Sequence, residues 1–457
     1  MPVNGRPDRR AARPRREQLR AGLWFVPALL VIAAGVLFAI TDALDRAAHR
    51  GSLTLPMWLR TGSADAGRQI LIGIAAAIIT VVGVVFSITI VALTLASTQF
   101  GPRILRAFVR DRGTQVTLGA FVATFVYSIL VLAAANDASD SFIPHVSIAT
   151  SLLLVLVDLG VLIFFIDHIA KVIQLPRVVA GIASELSRGI DAAMVGNTAR
   201  SGAQTETGPA AGDVIRELNE AGGVVAAASS GYLQVVRHHQ LIRVAAQADA
   251  VILLLHRPGH FVVEGRPLAK VLPASAATEV QRGLNRAHAT GPHRSLSQDI
   301  AFAIDQLVEI AIRALSPAVN DTFTGITCID WLTDGLCRIS ARWAPEPVWR
   351  DAAGRVRVVE AELNYQRLVD RAFDKIRQAG ITMPAILIRQ LDSIARIVES
   401  TRDDSQRAVL VAQAEMIVSV LDAIPVVEDR NDVRRSYDLA MAAVGRAATT
   451  SDRPAAG

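Results

Sequence analysis

The sequence predicts a mainly α-helical protein, in which a four-helix transmembrane region precedes a small β-rich module and a cytoplasmic helical bundle. Residues 69–102 contain no Asp, Glu, Lys or Arg, and comparable apolar runs flank them. After residue 175 charged and apolar residues alternate instead. A bilayer core about 30 Å thick needs roughly 20 apolar residues per helical crossing. The part before residue 175 is therefore predicted to lie in lipid, and the part after it in water.

Hydropathy and turn residues divide the chain of 457 residues into six predicted segments. Four spans are expected at about residues 21–41, 69–99, 114–136 and 144–171, and Pro144 suits the first turn of the last. The segments are a basic tail (1–20), the transmembrane domain (21–175), a connecting helix and linker (176–213), the β-rich module (214–274), a helical cytoplasmic domain (275–448) and a short tail (449–457).

Arginine placement predicts the orientation of the spans, because cytoplasmic loops of membrane proteins are enriched in Lys and Arg. The tail before the first span and the loop after the second carry dense arginine clusters, whereas the loop after the third carries Asp137 and Asp140. The loop between the first two spans, which this orientation puts outside, is an exception because it carries Arg46, Arg50, Arg60 and Arg68. The denser clusters predict a multi-pass protein of the cell inner membrane with both termini in the cytoplasm.

The second span carries small and hydroxyl residues along one helical face, which we call the seam. Its members are Gly73, Ala76, Thr80, Gly83, Ser87, Thr94 and Thr98, and Val91 interrupts it. Small residues are the usual contact surface between membrane helices, so close helix packing is the favoured interpretation. The alternative is that Thr80, Ser87, Thr94 and Thr98 line a pore.

Asp158 lies near the middle of the predicted fourth span, between two runs of aliphatic residues. A charged side chain at that depth costs a few kcal/mol or more, so it is expected to face protein or water and to have a partner. Hydroxyl groups of neighbouring spans are available at Thr80, Ser87, Thr124, Tyr127 and Ser128. A protonated Asp158 could hold helices together, or it could mark an ion or proton path.

Strands are predicted after the linker at residues 224–228, 232–237, 250–256 and 261–264, since these segments are apolar and bounded by turns. Four histidines surround the module, namely His238, His239, His256 and His260. Their spacing matches no compact metal motif, so surface or hairpin positions are favoured over a metal site. We expect no cofactor.

Helices are predicted from residue 275 onward, with Ser295 and Gln298 as a capping box for residues 296–315. A polar turn follows at Ser316–Thr324, where Asn320 or Asp321 can cap the next helix, from Phe323 to about Ser340. Ser316, Asn320, Asp321 and Thr324 could also line a cytoplasmic site. Further amphipathic helices are expected at about 356–378, 384–400, 404–421 and 432–447.

Composition narrows the classes of function. The formal net charge is +5, but many basic residues flank the spans instead of forming an aromatic-rich groove, so a nucleic-acid partner is not expected. Cys328 and Cys337 lie nine residues apart, on opposite faces of a predicted helix, and fit a reducing compartment. Asp305 and Glu309 lie one helical turn apart, as do Asp330 and Asp334, which suggests a di-carboxylate metal site, but charged stripes that face water are the favoured interpretation. No catalytic motif is found, so we expect no enzyme.

Several separated motifs match one family in order: Phe86–Leu93, Ser97–Arg103, Gly231–Gln234, Arg257–Val262 and Ala314–Thr324. They resemble bacterial predicted membrane proteins classed as a domain of unknown function, over about residues 23–441. The resemblance implies four transmembrane helices and a cytoplasmic region, with no established activity. His260 stands where that family usually has an acidic residue, and Thr322 where it has Pro.

Two functions follow as hypotheses. The first is a homo-oligomeric ion channel or transport pathway in the bilayer, in which the seam and Asp158 form the path and the cytoplasmic part gates or assembles it. The second is a non-conducting membrane anchor whose cytoplasmic half senses a ligand or acts as a scaffold for a partner.

Overall fold

A computed structural model describes residues 24–50, 52, 56, 64–100, 111–137, 143–172, 174–201, 211–296, 298–342, 348–360, 363–401 and 403–451. The chain forms two compact units, Met1–Arg177 and Val178–Gly457. The predicted basic tail, most of the arginine loop after the second span, and the middle of the linker lie outside the described residues.

Four helices make up the described part of the amino-terminal unit: α1 (Phe25–His49), α2 (Ala64–Phe100), α3 (Arg112–Asp137) and α4 (His145–Val172). All four are long and apolar enough to cross a membrane. The four predicted apolar helices are confirmed as candidate membrane spans. The first helix continues beyond the predicted end at residue 41, through Asp42 and Asp45, because hydropathy alone gives no reason for a helix to stop at its first charged residue.

The third helix packs against each of the other three helices of this unit. A methyl group added at Gly119 of α3 would come within 2.7 Å of the Leu30 side chain and 3.0 Å of the Pro27 Cα atom of α1. Gly67 of α2 approaches Ile148 of α4 as closely, at 2.7 Å. Small residues thus let the helices approach closely, which is how membrane helices gain packing contacts.

The second unit contains two small sheets and a set of helices. Its helices are α5 (Leu175–Ser201, which begins three residues before the boundary), α6 (Ala211–Ala221), α7 (His238–Gln247), α8 (Ala277–Ala287), α9 (Ile300–Ala314), α10 (Thr322–Arg342), α11 (Tyr365–Ala379), α12 (Pro384–Glu399), α13 (Asp404–Val418) and α14 (Val427–Ser451). Its strands are β1 (Gly223–Ala226), β2 (Gly231–Val236), β3 (Val251–Leu254), β4 (Phe261–Val262), β5 (Pro267–Leu272), β6 (His288–Gly291), β7 (Val348–Arg350) and β8 (Val356–Glu360).

The larger sheet has the strand order β1-β5-β3-β8-β7, and the smaller one has the order β4-β2-β6. The neighbours β3 and β8 run parallel, with Leu254 opposite Glu360, and the other pairs are antiparallel. Ile252, Val271 and Val358 are fully buried in the centre of the larger sheet. The parallel pair brings the chain after β3 and the end of β8 to the same edge of the sheet.

The predicted mainly α-helical class, with strands between two helical parts, is confirmed. The expectation that the chain is helical from residue 275 onward is wrong at β6, β7 and β8. Residues 356–360 were predicted as the start of a helix, but they form a buried central strand because Val356, Val358 and Val359 are β-branched and pack in the sheet. Helix α7 and strand β5 were also not predicted.

Asp299, not Ser295, caps helix α9, so the predicted capping box is wrong. The Asp299 side chain accepts a hydrogen bond from the Phe302 amide, and the helix begins at Ile300. Gln298 instead bonds both backbone groups of Val236 in β2, at 2.8 and 3.1 Å. The motif has the right residue types, but a tertiary contact with the strand uses them differently.

Helices α9 to α14 pack against one another as the predicted bundle. Cys328 and Cys337 on α10 are both free thiols, as their predicted placement on opposite faces requires. Burial raises the pKa of Cys328 to about 12, and burial likewise raises the pKa of Cys337. Both groups are therefore thiols near neutral pH, which makes them poor nucleophiles.

Candidate functional site

Asp158 is buried inside the four-helix unit, with 3% of its surface exposed. Its carboxyl group has a hydrogen bond with the Thr124 hydroxyl of α3, while its second oxygen, Oδ2, is buried without a partner. Thr124 is one of the five hydroxyl residues that the sequence analysis named as available partners of Asp158. A buried oxygen with no partner is rare in native structures and calls for an explanation.

Further polar groups lie buried on the same two helices. Thr124 and Ser128 follow Thr117 on one face of α3, and Asp158 follows Ser151 by seven residues on α4. The hydroxyl oxygens of Thr117, Ser128 and Ser151 are buried and have no hydrogen-bond partner. We call Thr117, Thr124, Ser128, Ser151 and Asp158 the polar file.

A hydrogen-bond network closes one end of the bundle. Asp45 of α1, 2% exposed, accepts bonds from the backbone amides of Val146 and Ser147 at 2.7 and 2.9 Å, and from the Ser147 hydroxyl at 2.6 Å. It thus caps helix α4 from another helix, where an acidic group also complements the helix dipole. The Tyr127 hydroxyl lies 2.8 Å from that of Thr41 beside this cap.

An acidic residue and a histidine join the helices at the other end. Asp111 caps α3 by accepting from the Thr114 amide and hydroxyl, and it lies 2.7 Å from Nε2 of His168 on α4. Burial raises the pKa of Asp111, but bonds from Thr114 and His168 outweigh this effect, so the pKa lies below its ordinary value. The carboxylate is therefore ionised near neutral pH. Through this contact His168 of α4 is joined to the start of α3.

The seam of α2 faces away from the rest of the unit. Thr80, Ser87 and Thr94 are exposed, as are the small residues between them, whereas Leu71, Ile78, Val85 and Ala92 on the opposite side are buried. The Thr80 and Thr94 hydroxyls donate to carbonyls of their own helix at 2.8 and 2.9 Å. The side chain of Thr98 lies outside the described residues. The structure therefore does not bring the seam and Asp158 together.

The polar turn before α10 is held by its own hydrogen bonds. Asp321 accepts from the Thr324 amide and hydroxyl at 3.0 and 2.6 Å, and the Ser316 hydroxyl donates to the Arg313 carbonyl at 2.7 Å. Asn320 has a φ of 51°, in the left-handed region that Asn tolerates. Helix capping and turn hydrogen bonds account for the side chains of Ser316, Asp321 and Thr324, and the turn uses the backbone conformation of Asn320.

The histidines near the sheets have separate contacts. His238 bonds Glu360 at 2.5 Å and stacks on Trp349, and the His256 and His260 rings lie 6.0 Å apart. Asp305, which was expected to face water, is 19% exposed and forms ion pairs with Arg294 and Arg371. Within the described ranges, no group of three or more His, Cys, Asp or Glu side chains could hold a metal ion.

Comparison with protein-family models gives one decisive match. Residues 20–396 match the family described as predicted membrane protein (DUF2254). The chain belongs to this family. The family's description agrees with the four apolar helices. The matched range also covers the two sheets, α9 to α11 and most of α12 in the second unit.

Curated proteins of two mycobacteria are also similar to this DUF2254 protein. The chain is 30% identical over 414 residues to the uncharacterized protein Rv1290c of Mycobacterium tuberculosis and to the uncharacterized protein Mb1321c of Mycobacterium bovis. Each alignment covers 88% of this chain and 76% of the relative. No solved structure matches this DUF2254 protein.

Several residues of the site were not found from the sequence: Thr117 and Ser151 of the polar file, and the two acidic residues Asp45 and Asp111. Both acidic residues lie at the edge of an apolar run, where a carboxylate is expected to face water. Asp45 meets Ser147 across 102 residues, and Asp111 meets His168 across 57. The only sequence signal was Thr114, three residues after Asp111, which fits a capping pair.

Proposed function

We propose that this DUF2254 protein transfers protons across a membrane, through the interior of the α1–α4 bundle. The observation that carries the proposal is Asp158, a buried carboxyl group in the middle of a membrane helix with one oxygen unpartnered. Ionisable residues at such positions commonly belong to proton or ion pathways. The carboxyl group of Asp158 can take up and release a proton, whereas a residue that only packs between helices needs no titratable group.

The polar file favours protons over hydrated ions. The unpartnered oxygens of Thr117, Ser128, Ser151 and Asp158 have almost no solvent-accessible surface, so no water-filled pore reaches them. A hydrated ion needs such a pore, whereas a proton can pass between neighbouring hydroxyl and carboxyl groups with few waters. The file, together with Ser147 and His168 at its two ends, extends over about 32 Å of α4 at 1.5 Å per residue. This length matches the thickness of a bilayer core.

An apolar stretch interrupts the file between Thr117 and Thr124. Phe121 of α3 and Phe165 of α4 are buried there, at 1% and 0% exposure. Apolar constrictions close membrane paths by excluding water. In the proposed mechanism the two rings form the closed gate, and protons cross when helix movement admits water between them.

The test is proton flux into proteoliposomes under a pH gradient, followed with an internal pH-sensitive dye. Wild-type protein is expected to acidify the vesicles faster than empty vesicles do. Asp158→Asn, which keeps the side-chain size but cannot release a proton, is expected to reduce the rate to that of empty vesicles. The matched control is Asp167→Asn on the same helix, since Asp167 is exposed and pairs with Lys171.

Wild-type rates equal to those of empty vesicles would overturn the proposal. So would unchanged flux in Asp158→Asn, which would leave Asp158 as a protonated contact between helices. If wild-type protein gives no flux above empty vesicles, a membrane-anchored sensor or scaffold is favoured, because that function requires no conduction.

We also propose that the seam packs against a second copy of the chain, so that the protein is a homo-oligomer. Lipid-facing helix surfaces need no small residues, yet Gly73, Gly83, Ser87 and Thr94 lie on the exposed face of α2. A methyl group added at Gly73 or Gly83 would meet no atom of this chain within 4 Å. Small residues on an uncovered face permit close approach of another helix.

Disulfide crosslinking in membranes tests this assembly. Ser87→Cys, in a protein whose Cys337 is changed to Ser, is expected to give a dimer band on oxidation. The control is Ile79→Cys, which is also exposed on α2 but lies on a neighbouring face. Equal crosslinking at both positions, or none at Ser87→Cys, would argue for lipid as the neighbour of the seam.

The arginine distribution supports an inner-membrane location with both termini, and hence the second unit, in the cytoplasm. The pairs Asp45–Ser147 and Asp111–His168 each join helix ends that this topology puts on the same side.

A further inference from the structure

A charged cluster occupies the edge of the larger sheet where the parallel strands β3 and β8 end. Leu254 and Glu360 pair across these strands, and Arg257 and His260 lie in the turn after β3. The turn lies close to Asp299, since a methyl group added at Gly259, which has a φ of +94°, would overlap the Asp299 carboxylate. Arg257 lies two residues earlier in this turn and interacts electrostatically with Asp299 and Glu360.

The carboxylates of the cluster are already engaged by other groups. Asp299 accepts two bonds from Arg294, at 2.8 and 3.0 Å, besides capping α9. Asp305 accepts from Arg294 and Arg371, at 2.7 and 2.6 Å. Glu360 bonds His238 at 2.5 Å. Each acid thus has a partner other than Arg257.

Arg257 is left without a hydrogen-bond partner for most of its guanidinium group. Its Nε and Nη1 atoms are buried and unpartnered. Burial lowers the pKa of Arg257 below its ordinary value; Glu360 and Asp299 oppose this change, and Arg367 and Arg371 reinforce it. A buried cation with unmade hydrogen bonds is unfavourable, and an unseen water or ion is a usual explanation.

The surrounding charge is suited to an anion. Four guanidinium groups, those of Arg257, Arg294, Arg367 and Arg371, lie near three carboxylates, and His256 and His260 adjoin them. No described acid forms an ion pair with the exposed side chain of Arg367. The cluster therefore has both an excess of positive charge and unoccupied donors. Because Nε and Nη1 of Arg257 are buried, an anion reaches them when neighbouring side chains move.

We propose that Arg257, with Arg367 as a second donor, binds an oxyanion of the phosphate class. The planar guanidinium group donates parallel hydrogen bonds that match phosphate geometry. The same chemistry is offered by a free phosphate compound and by a phospholipid headgroup. This site does not depend on proton transfer through the polar file.

Thermal unfolding of the full-length protein in neutral detergent tests the site with sodium pyrophosphate as the probe. A ligand that binds only the folded state raises the melting temperature. Pyrophosphate is expected to raise that of the wild type above the value in sodium chloride of equal ionic strength, and to leave Arg257→Gln unchanged. Arg282→Gln, at an exposed arginine of α8, is the control and is expected to respond as the wild type does.

Calorimetric titration then gives the affinities, and Arg257→Gln is expected to weaken binding at least about tenfold. If that variant does not fold, Arg367→Gln on the surface of α11 is expected to weaken binding in its place. A lipid source is supported when pyrophosphate has no effect, but phosphatidylglycerol nanodiscs stabilise the wild type and not the variant. The proposal is overturned if wild type and variant respond equally to both probes, or if neither probe has an effect. It is also overturned if sodium chloride stabilises the wild type as much as pyrophosphate does.

Discussion

Replacing Asp45 by Ala is expected to lower the free energy of unfolding of the membrane-spanning unit by about 4 kcal/mol. The substitution leaves three donors without their acceptor, the amides of Val146 and Ser147 and the Ser147 hydroxyl. A buried donor that loses its partner costs about 1–3 kcal/mol. Because Asp45 joins α1 to the start of α4, the loss also loosens the packing of these two helices.

Thermal unfolding in detergent, followed by circular dichroism, measures this effect. Asp42→Ala is the matched control, because Asp42 lies one turn earlier on α1 and, among the described residues, pairs with the exposed Arg46. An exposed ion pair contributes about 0–1 kcal/mol, so the control is expected to melt close to the wild type. Equal melting temperatures for the two variants would mean that Asp45 does not hold α4.

Asp299→Ala is expected to destabilise the second unit by about 4 kcal/mol. A lost helix cap accounts for about 1 kcal/mol. Breaking the ion pair with Arg294 accounts for about 3 kcal/mol, the low end for a buried pair, because Arg294 keeps its hydrogen bond to Asp305. Asp299 is 5% exposed and the Arg294 side chain 20% exposed, so solvent screens this pair little.

Chemical denaturation of the full-length protein gives the comparison, with Asp321→Ala as the matched control. Asp321 caps α10 in the same way, but its side chain bonds Thr324 of that helix and has no described ion pair. Its replacement is expected to cost about 1 kcal/mol. The difference between the two variants then measures the ion pair, and similar losses in both would show that the pair contributes nothing.

The membrane helices could be predicted from the sequence because length and hydropathy determine them locally. Asp158 was found for the same reason, since a charge inside an apolar run is visible without a structure. The exposure of Thr80, Ser87 and Thr94 was not predictable, because helical periodicity shows which residues share a face but not what covers it.

Contacts between distant residues account for most of the remainder. Residues 356–360 fit helical periodicity as well as a strand, and pairing with β3, about 100 residues earlier, decides the matter. Ser295 and Gln298 have the pattern of a capping box, but β2 uses Gln298. The Arg257 cluster combines two strand ends, two helices and a turn. Because these segments are far apart in the chain, no local sequence motif predicts the cluster.

Proton flux through two sets of variants tests the central claim most directly, that protons pass inside the bundle and not along α2. The interior variant is Asp158→Asn, and the seam variant combines Thr80→Ala, Ser87→Ala and Thr94→Ala. We expect vesicles with the interior variant to acidify no faster than empty ones, and the seam variant to keep the wild-type rate per reconstituted protein. Loss of flux in the seam variant with full flux in Asp158→Asn would contradict the account.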